Sequence, residues 1–495
     1  MFKYYTLFLL LATALANPLP PSPIASCLTD HGLNVETSQD APTPFNNRYI
    51  GITPAAIVYP AQTSDVAKAV QCAVQHDVRV SAVSGGHSYS ASGYGSQDGH
   101  LVIIFRDMAQ VLNYNSDDGV VTVQPGARLG DFALELYDKY HRAMAHGICP
   151  YVGLGGHAGF GGWGLSSRNW GLLIDQIVGA DLVLANGTST HVSRTQNADL
   201  FWAIRGASSS FGVITQFTMQ THQAPASVIR FAYNFINPSG QALDPETFAS
   251  IMHAYQVWGL TAPKEIGIVA NVWQEGKTIE MTGYYTGTQA DFDRVIAPLL
   301  SGTGQPSTAY VQERDWIAAL TEADGGSSLS TKGTVEPHDT FYAKSLVVPS
   351  SSPLTVDALK ALVHRYASTP PPNNMTWFIQ FELWGGGNSV ISSVDAGATA
   401  YPHRQHHWTV QFYGRAATAS WPSQGTAFMN GLVNAVTDNM QGTRFGAYAN
   451  YLDPELLGWR EKYYAGNYAR LARIQEEMDP RGVFMKADNI GAPET

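Results

Sequence analysis

The segment that decides how this chain folds reads His146-Gly-Ile-Cys-Pro-Tyr-Val-Gly-Leu-Gly-Gly-His-Ala-Gly-Phe-Gly-Gly-Trp-Gly164. It holds one cysteine, Cys149, and its glycines are too dense for a stable helix or an ordinary strand. Because glycine has no Cβ, such backbone can approach a large flat or anionic ligand closely. A second glycine turn, Ser84-Gly-Gly-His-Ser-Tyr89, lies upstream and carries one histidine. We interpret the two turns as opposite sides of one cofactor site.

Residues 159–164 also match the G-x-G-x-x-G pattern of dinucleotide-binding proteins, and Asp181 follows at about the expected 20 residues. That fingerprint requires an apolar strand that runs directly into the first glycine and a helix that leaves the last. Here a Cys-Pro turn and more glycine come first. A Rossmann site is therefore the weaker interpretation.

The composition is that of a globular protein with more than one core. A chain of 495 residues predicts two domains. It is 44% hydrophobic and 11% aromatic but only 14% charged, which fits a secreted protein that handles sugars or rings better than a cytosolic one. The net charge of -11 argues against nucleic acid as a partner, since phosphate binding needs clustered Lys and Arg.

The first 16 residues have the pattern of a secretory signal peptide. Lys3 supplies the positive end, residues 7–11 the apolar centre, and Ala14-Leu15-Ala16 the small-x-small cleavage site. A membrane anchor would need about 20 apolar residues, but Asn17 and several prolines end the run. We therefore predict secretion and no membrane partner.

The three cysteines are Cys27, Cys72 and Cys149. In an oxidising compartment Cys27 and Cys72 can pair and tie the mature N-terminus to an early helix. Cys149 is then a buried spectator, a reactive thiol, or bonded to something else, and its place in the glycine turn favours the last. No metal site is predicted.

Asn-x-Ser/Thr acceptors for glycosylation occur at Asn186 and Asn374. Asn186 lies in an expected hairpin turn, where access is poor. Asn374 follows a proline-rich loop and is the predicted glycosylation site.

The chain divides into two consecutive regions that differ in their pattern of predicted helices and strands. Up to residue 224, helices are predicted at 63–76, 131–141 and 198–205, with strands at 78–83, 101–105, 120–123, 177–184 and 212–220. Beyond it, helices at 248–258, 291–300 and 356–366 and strands at 266–273, 278–285, 376–384 and 407–415 indicate an α+β domain with a mostly antiparallel sheet. An extended segment at 448–453 and a helix at 467–478 follow. The predicted division is 1–16 signal peptide, 17–224 first domain, 225–445 second domain, and 446–495 returning to the first.

Strand alternation places polar residues together. Gln380 and Glu382 share one face of their strand, and Gln411 is on the next. Such a row is either the solvent side of the sheet or a polar binding surface, and the pattern alone favours the solvent side. In the segment 448–453, period two puts Tyr451 and Asp453 on one side.

Several further motifs occur in a fixed order along nearly all of the mature chain. They are Asp199-Leu-Phe-Trp-Ala-Ile-Arg-Gly206 with Phe211-Gly212, then Tyr448-Ala-Asn-Tyr-Leu-Asp453, Asn467-Tyr-Ala-Arg-Leu471 and Asp479-Pro480. Together with the two glycine turns, they make the chain resemble the berberine bridge enzyme-like flavoproteins of the vanillyl-alcohol oxidase superfamily, and among these the fungal oligosaccharide oxidases. The resemblance implies a two-domain α+β fold of the PCMH type, which binds FAD, with a substrate domain on a mostly antiparallel sheet covered by helices.

The resemblance implies FAD held by two covalent bonds, from His87 to the flavin 8α-methyl carbon and from Cys149 to ring carbon 6. A capped turn histidine and an inert buried thiol are the alternatives for these residues. The pyrophosphate is expected along glycine-rich backbone, held by amide N–H groups rather than a helix end. The other expected cofactor-binding residues are Ser84, Gly85, Gly86, Ser88, Val152, Gly153, Gly155, Gly156, His157, Gly212, Val213 and Asn450.

The expected chemistry is hydride transfer to flavin N5 with removal of the adjoining O–H proton. The family assigns that proton to the tyrosine at Tyr451, and a carboxylate beside it corresponds to Glu382. A free phenol has a pKa near ~10, and an adjacent anion raises it further. Glu382 is therefore expected to accept or relay the proton, or to anchor a substrate hydroxyl. A packed aromatic and a surface carboxylate are the alternatives.

Tyr89, Gln380 and Gln411 match positions that line the sugar site of oligosaccharide oxidases, and glutamine amides suit hydroxyls because they donate and accept. Phe378 stands where the family often has tryptophan, which puts stacking on the sugar in doubt. Val152 stands where a small side chain in the family admits O2.

The resemblance therefore predicts a secreted, monomeric FAD-dependent oxidase. It would oxidise the C1 hydroxyl of reducing-end oligosaccharides to the lactone and aldonic acid, with O2 reduced to H2O2. One alternative is an FAD-linked oxidase or oxidative cyclase of secondary metabolism, against which the polar row counts. The other is a secreted carbohydrate-binding flavoprotein with little turnover.

Overall fold

The structure is a computed structural model that describes residues 22–36, 42–273, 276–335, 338–486 and 489–492. The predicted signal peptide, 1–16, lies outside the described residues. Among the helices that are described, none combines the length and the apolar character needed to cross a bilayer.

The first part of the chain mixes short helices and strands. Its helices are α1 (Pro23–Asp30), α2 (Thr63–Gln75), α3 (Leu129–Tyr140), α4 (Leu154–Phe160), α5 (Ser167–Trp170) and α6 (Ala198–Ala207). Its strands are β1 (Val35–Glu36), β2 (Ala56–Val58), β3 (Val80–Val83), β4 (Leu101–Ile104), β5 (Val111–Asn115), β6 (Val120–Val123), β7 (Arg142–Ala143), β8 (Ile177–Val183), β9 (Ser189–Ser193), β10 (Val213–Gln220) and β11 (His222–Gln223).

The second part is a large sheet with helices, followed by a short helical tail. The strands are β12 (Ser227–Ile236), β13 (Ile266–Trp273), β14 (Thr278–Tyr285), β15 (Thr308–Asp315), β16 (Thr340–Pro349), β17 (Met375–Leu383) and β18 (His406–Ala416). The helices are α7 (Pro245–Gly259), α8 (Gln289–Thr303), α9 (Trp316–Asp324), α10 (Val356–Ser368), α11 (Val390–Ser393), α12 (Gly425–Thr437), α13 (Trp459–Tyr464) and α14 (Tyr468–Met478).

The sheets confirm an α+β fold. Strands β2, β4 and β3 run parallel in a four-stranded sheet, ordered β1-β2-β4-β3. A five-stranded sheet is ordered β5-β6-β10-β8-β9, and β7 pairs with β11. The seven-stranded sheet, ordered β15-β12-β14-β13-β17-β18-β16, is antiparallel throughout, as predicted for the second domain.

Two faces of the seven-stranded sheet have different environments. One face packs on α7, α8, α10 and α12 in a core formed entirely by residues between 229 and 440, with Phe231, Ile268, Phe381 and Phe412 pointing into it. Asp244, Thr288 and Thr355 begin three of these helices by accepting backbone N–H hydrogen bonds. The other face is thereby directed at the first part of the chain, where the candidate site lies.

Two local predictions are wrong. The glycine-rich segment was expected to be irregular, but Leu154 to Phe160 forms α4, so Gly155, Gly156 and His157 lie in a helix. The segment 448–453 was expected to be extended, but it contains a 3-10 turn, Ala449–Tyr451. Period two therefore does not hold there.

The predicted disulfide between Cys27 and Cys72 is present and joins α1 to α2. Cys149 forms no disulfide. Both helices share a hydrophobic core with the four-stranded sheet.

Candidate functional site

A cavity of about 710 Å³ lies between the glycine turns and the seven-stranded sheet. This volume is within the range of about 300–1,000 Å³ usual for small-molecule and cofactor sites. Every residue predicted for the cofactor, the substrate and the proton transfer lines it: Ser84, Gly85, Gly86, His87, Ser88, Tyr89, Cys149, Val152, Gly153, Gly155, Gly156, His157, Gly212, Val213, Gln380, Glu382, Gln411, Asn450 and Tyr451. The structure thus brings together residues up to 367 positions apart in the sequence, from Ser84 to Tyr451.

The two glycine turns touch backbone to backbone. A Cβ placed on Gly153 would lie 2.0 Å from the Gly85 nitrogen, so no larger residue fits there. The Ser84 hydroxyl donates to the Pro125 carbonyl at 2.5 Å and accepts from the Gly155 N–H at 3.2 Å. Gly86 has a φ of 80°, which favours glycine. This contact fixes His87 and Cys149 on the same cavity.

The ring of Phe45 stacks on the imidazole of His87, with centroids 4.2 Å apart and planes at 16°. Nothing in the sequence singled out Phe45. The stacking holds the histidine ring in one plane beside the cavity.

A second histidine of the glycine segment is held neutral. His157 accepts the Gly147 N–H through Nε2 at 2.9 Å. Burial lowers the pKa of His157 to about 3, and the nearby His146 adds to this effect. Its ring is therefore an uncharged acceptor that ties the start of the glycine-rich segment to α4.

Tyr448 connects the C-terminal turn to the glycine segment. Its hydroxyl oxygen accepts hydrogen bonds from the Gly162 and Trp163 N–H groups at 2.9 and 3.2 Å. Asn450 donates to the same oxygen at 3.0 Å and to the His157 carbonyl at 3.2 Å. Asn450 is among the predicted cofactor-binding residues and Tyr448 is not, although both belong to one motif.

Tyr451, which is half-buried, and the fully buried Glu382 form a hydrogen-bonded pair. The Tyr451 hydroxyl donates to Glu382 Oε1 at 2.5 Å, and the Trp384 indole N–H donates to Oε2 at 2.8 Å. Burial raises the pKa of Glu382 to about 8, although both hydrogen bonds oppose the rise. Burial, and then the Glu382 charge, raise the pKa of Tyr451 well above its usual value. A carboxyl with a pKa near neutrality can hold or release a proton at this point.

The turn that carries Tyr451 is anchored to strand β16. Asp453 is buried and pairs with the Lys344 ammonium at 2.5 Å, and it accepts from the Tyr342 hydroxyl at 2.6 Å. The Ser345 hydroxyl accepts the Tyr448 N–H at 2.9 Å. Tyr451 and Asp453 therefore have separate partners, and their predicted shared side is wrong because the turn is helical.

The polar row does not face solvent, so the interpretation favoured by the pattern alone is wrong. Glu382 is fully buried and Gln411 nearly so. Gln411 donates to the Tyr89 hydroxyl at 2.8 Å, and the ring of Tyr89 stacks on that of Tyr451 with centroids 5.7 Å apart. Gln380 donates to Asn271 Oδ1 at 3.1 Å. The first part of the chain covers this face, which strand alternation alone cannot reveal.

Aromatic rings border the polar row. Phe378 stacks on Tyr413 with centroids 4.9 Å apart, and Trp273 lies 4.9 Å from Phe378 in a tilted arrangement. All three line the cavity. Trp273, Phe378 and Tyr413 thus form an aromatic surface built from three strands.

The residues present fit FAD. A Cβ on Gly156 would meet nothing within 4 Å, so the backbone there faces open space in the cavity. Lys486 and Asn489 line the same cavity as the glycine turns and the Tyr451 pair. Glycine backbone N–H groups together with a cationic side chain suit a pyrophosphate. The aromatic and polar side chains that line the rest of the cavity suit a flat ring system. The Rossmann alternative does not fit, since residues 159–164 begin inside the end of helix α4 instead of following an apolar strand.

Comparison with known proteins gives two family matches, two sequence relatives and one solved structure. Residues 54–193 match the FAD binding domain family, and residues 447–491 match the family "Berberine and berberine like". The chain is 35% identical to the chitooligosaccharide oxidase of Gibberella zeae over 97% of both chains. It is 37% identical to the xylooligosaccharide oxidase of Thermothelomyces thermophilus over 91% of this chain and 89% of the other. A solved structure of the glucooligosaccharide oxidase of Acremonium strictum matches with a TM-score of 0.87 at 32% identity, over 96% of this chain and 100% of that chain. That enzyme is described as carrying a 6-S-cysteinyl, 8α-N1-histidyl FAD.

Proposed function

Because the chain belongs to the berberine bridge enzyme-like family of FAD-linked oxidoreductases, we propose that it oxidises the C1 hydroxyl of reducing-end oligosaccharides to the lactone and aldonic acid. The observation that carries the proposal is the hydrogen-bonded Tyr451–Glu382 pair, which faces the same cavity as the two glycine turns and the row of glutamines. Relatives named as oxidases of chito- and xylooligosaccharides support the substrate class.

FAD would be held covalently by His87 and Cys149, by analogy with the cysteinyl and histidyl attachment in the glucooligosaccharide oxidase. When bound, FAD supplies the acceptor for a hydride. Support for these two residues comes from their position on one cavity, and for His87 also from its stacking on Phe45. The remaining residues predicted for the cofactor would hold it through backbone N–H groups and the side chains of Ser84 and Asn450.

The chain's own residues would handle the proton. Tyr451 would take the C1 hydroxyl proton and pass its own to Glu382 Oε1 along the 2.5 Å hydrogen bond. Glu382 can accept it only when ionised, and its pKa of about 8 puts that form within reach at mildly alkaline pH. Tyr89, Gln380 and Gln411 would orient the sugar by donating to and accepting from its hydroxyls.

O2 is the proposed electron acceptor, with H2O2 as product. Support comes from Val152, which lines the cavity with a side chain smaller than leucine or phenylalanine. We also propose that the protein is secreted and monomeric, with glycosylation at Asn374. That asparagine is exposed, in a turn before β17, which suits an acceptor site.

We propose the domain division 17–224, 225–445 and 446–495. Its support is the core between residues 229 and 440, which packs inside the second unit alone. Residues after 446 contribute Tyr448, Tyr463 and Leu471 to the core of the first part.

The proposal is tested by incubating purified protein with a panel of reducing disaccharides and detecting peroxide. The matched panel is the same sugars after borohydride reduction, which removes the C1 hemiacetal. Peroxide formed from the reducing sugars alone is the expected result. No peroxide from any reducing sugar, with retained flavin, would refute the proposal and favour an oxidase of other substrates.

A further inference from the structure

The pairing of five neighbouring strands of the seven-stranded sheet aligns one residue from each of the five in a single row. The direct cross-strand partners are Ser345 with Gln411, Gln411 with Gln380, Gln380 with Asn271, and Asn271 with Glu280. Direct partners in antiparallel strands point to the same side of the sheet. The row therefore runs across the sheet, away from Tyr89 and Tyr451 and towards Glu280.

Glu280 is the last residue of this row that lines the cavity. Its Oε2 accepts from Asn271 at 3.3 Å and from the Trp273 indole N–H at 3.0 Å. Within the described residues, no hydrogen bond reaches its Oε1. Glu280 is half-buried. No ion pair within 4 Å is found for its carboxylate among the described residues, but burial lowers the pKa of the Arg230 guanidinium and the charge of Glu280 opposes that shift.

The distance between Glu280 and the Tyr451–Glu382 pair suits a second sugar unit. Strands lie about 4.8 Å apart, so the two intervals from Gln380 to Glu280 span about 10 Å. Gln380 is two residues from Glu382, which pairs with Tyr451. A sugar whose C1 hydroxyl is at Tyr451 would therefore place its next unit near Glu280 and Trp273.

The charges facing this end of the cavity are mostly negative. Glu280, Glu322 and Asp324 line it together with one guanidinium, that of Arg230. Arg230 Nη1 is committed to Thr282 and to the carbonyls of Phe231 and Gly283. Glu322 is paired with Arg314, whereas Glu280 accepts from the indole of Trp273, which belongs to the aromatic surface.

We propose that Glu280 and Trp273 form a subsite for a protonated amino group on the second unit of the substrate. This inference rests on the proposed function and deepens it, by naming oligomers of an amino sugar as the preferred substrates. An ammonium group can donate to a carboxylate and lie over an indole face at the same time. The same carboxylate repels a uronic acid.

The test compares wild type with Glu280→Gln on four disaccharides. They are the glucosamine dimer, its N-acetylated form, cellobiose, and a disaccharide whose second, non-reducing unit is a uronic acid. Gln can still accept from Asn271 and Trp273, so the variant removes the charge and keeps the hydrogen bonds. Glu313→Gln is the matched control, since Glu313 is exposed on edge strand β15, opposite core residue Ile229.

We expect wild type to prefer the glucosamine dimer over cellobiose by about ten-fold or more in kcat/KM, the worth of a charge-assisted hydrogen bond. In Glu280→Gln this preference falls to near equality, and the uronic acid disaccharide improves. Added salt reduces the preference in wild type and has little effect in the variant. Glu313→Gln keeps the wild-type ratios.

An unchanged ratio of glucosamine dimer to cellobiose in Glu280→Gln would overturn the inference and leave the proposed function standing. Binding provides a separate readout, because the borohydride-reduced glucosamine dimer cannot be oxidised at C1. If calorimetry finds charge-dependent binding that requires Glu280 while no sugar yields peroxide, the subsite is supported and the proposed function fails.

Discussion

Replacing Glu382 by glutamine removes one ionisable group from the centre of the molecule without changing its shape. The glutamine oxygen can still accept from the Trp384 indole, and its amide can donate to the Tyr451 oxygen. What disappears is the ability to take a proton. We therefore expect the fold to persist while the reaction slows by about 10²- to 10⁴-fold, the usual contribution of a general base.

The pKa of Glu382 sets the pH range of the effect. Burial raises it from 4.5 to about 8, which corresponds to roughly 5 kcal/mol against the carboxylate in the folded protein. Because the pKa of Glu382 is higher in the folded than in the unfolded protein, the protonated carboxyl favours the folded state, and this stabilisation is fully present below pH 4.5. It is lost as the pH rises towards 8. The glutamine variant lacks this loss, so its melting temperature should rise relative to wild type across that range.

Two measurements on the flavin-loaded enzyme check the argument. In wild type, kcat/KM for a reducing disaccharide should increase with pH through about 8 as Glu382 ionises, and Glu382→Gln should lack this limb. The difference in melting temperature between the two proteins should follow the same pH range, with Glu313→Gln behaving as wild type. If the variant keeps both the rate and the alkaline limb, Glu382 is not the proton acceptor.

Three further predictions concern single side chains. Tyr451→Phe, which deletes the donor to Glu382 Oε1, should lower substrate-dependent flavin bleaching by at least 100-fold while leaving flavin content unchanged; near-normal bleaching would exclude Tyr451 as the base. Cys149→Ala should leave the flavin attached through one bond, seen by mass spectrometry of the flavin peptide, whereas an unchanged attachment would rule out a Cys149 linkage. Cys27→Ser opens a disulfide across 45 residues to Cys72 and should cost about 2–4 kcal/mol in a reversible unfolding measurement; equal stability would mean that the unfolded chain is not constrained by it.

Strong periodicity explains which elements the sequence predicted. The predicted helix at 63–76 differs from α2 by one residue at its end. The predicted strands at 266–273 and 278–285 have the same bounds as β13 and β14. Strands β12, β15 and β16 were missed. β16 is buried on nearly all positions and so shows no alternation, whereas edge strand β15 is largely exposed and polar. Neither pattern identifies a strand without its neighbours.

The site residues were found through motifs, and their surroundings were not. His87, Cys149 and Tyr451 lie in short local motifs, so the resemblance located them. Phe45 and Lys344 act through contacts across long sequence separations, with His87 and Asp453 respectively. Such pairs leave no local pattern. Asn271 and Glu280 had a weak signal, since both lie on predicted strands, but only strand register puts them in one row with Gln380.

The helix at 154–160 shows why glycine content misled the prediction. Glycine in a helix interior costs up to about 1 kcal/mol relative to alanine, which makes α4 unfavourable in isolation. Glycine is nevertheless required by close contacts: a Cβ on Gly159 would lie 2.0 Å from Ser208 Oγ, and one on Gly155 would lie in a tight contact, 3.0 Å from the Pro125 carbonyl. Gly156 has open space instead, on the side that lines the cavity. The glycines are thus required by what approaches the helix, namely the Ser208 side chain and the Pro125 carbonyl on one side and the cavity on the other. Propensity ranks conformations of a free chain, and here packing and ligand access decide.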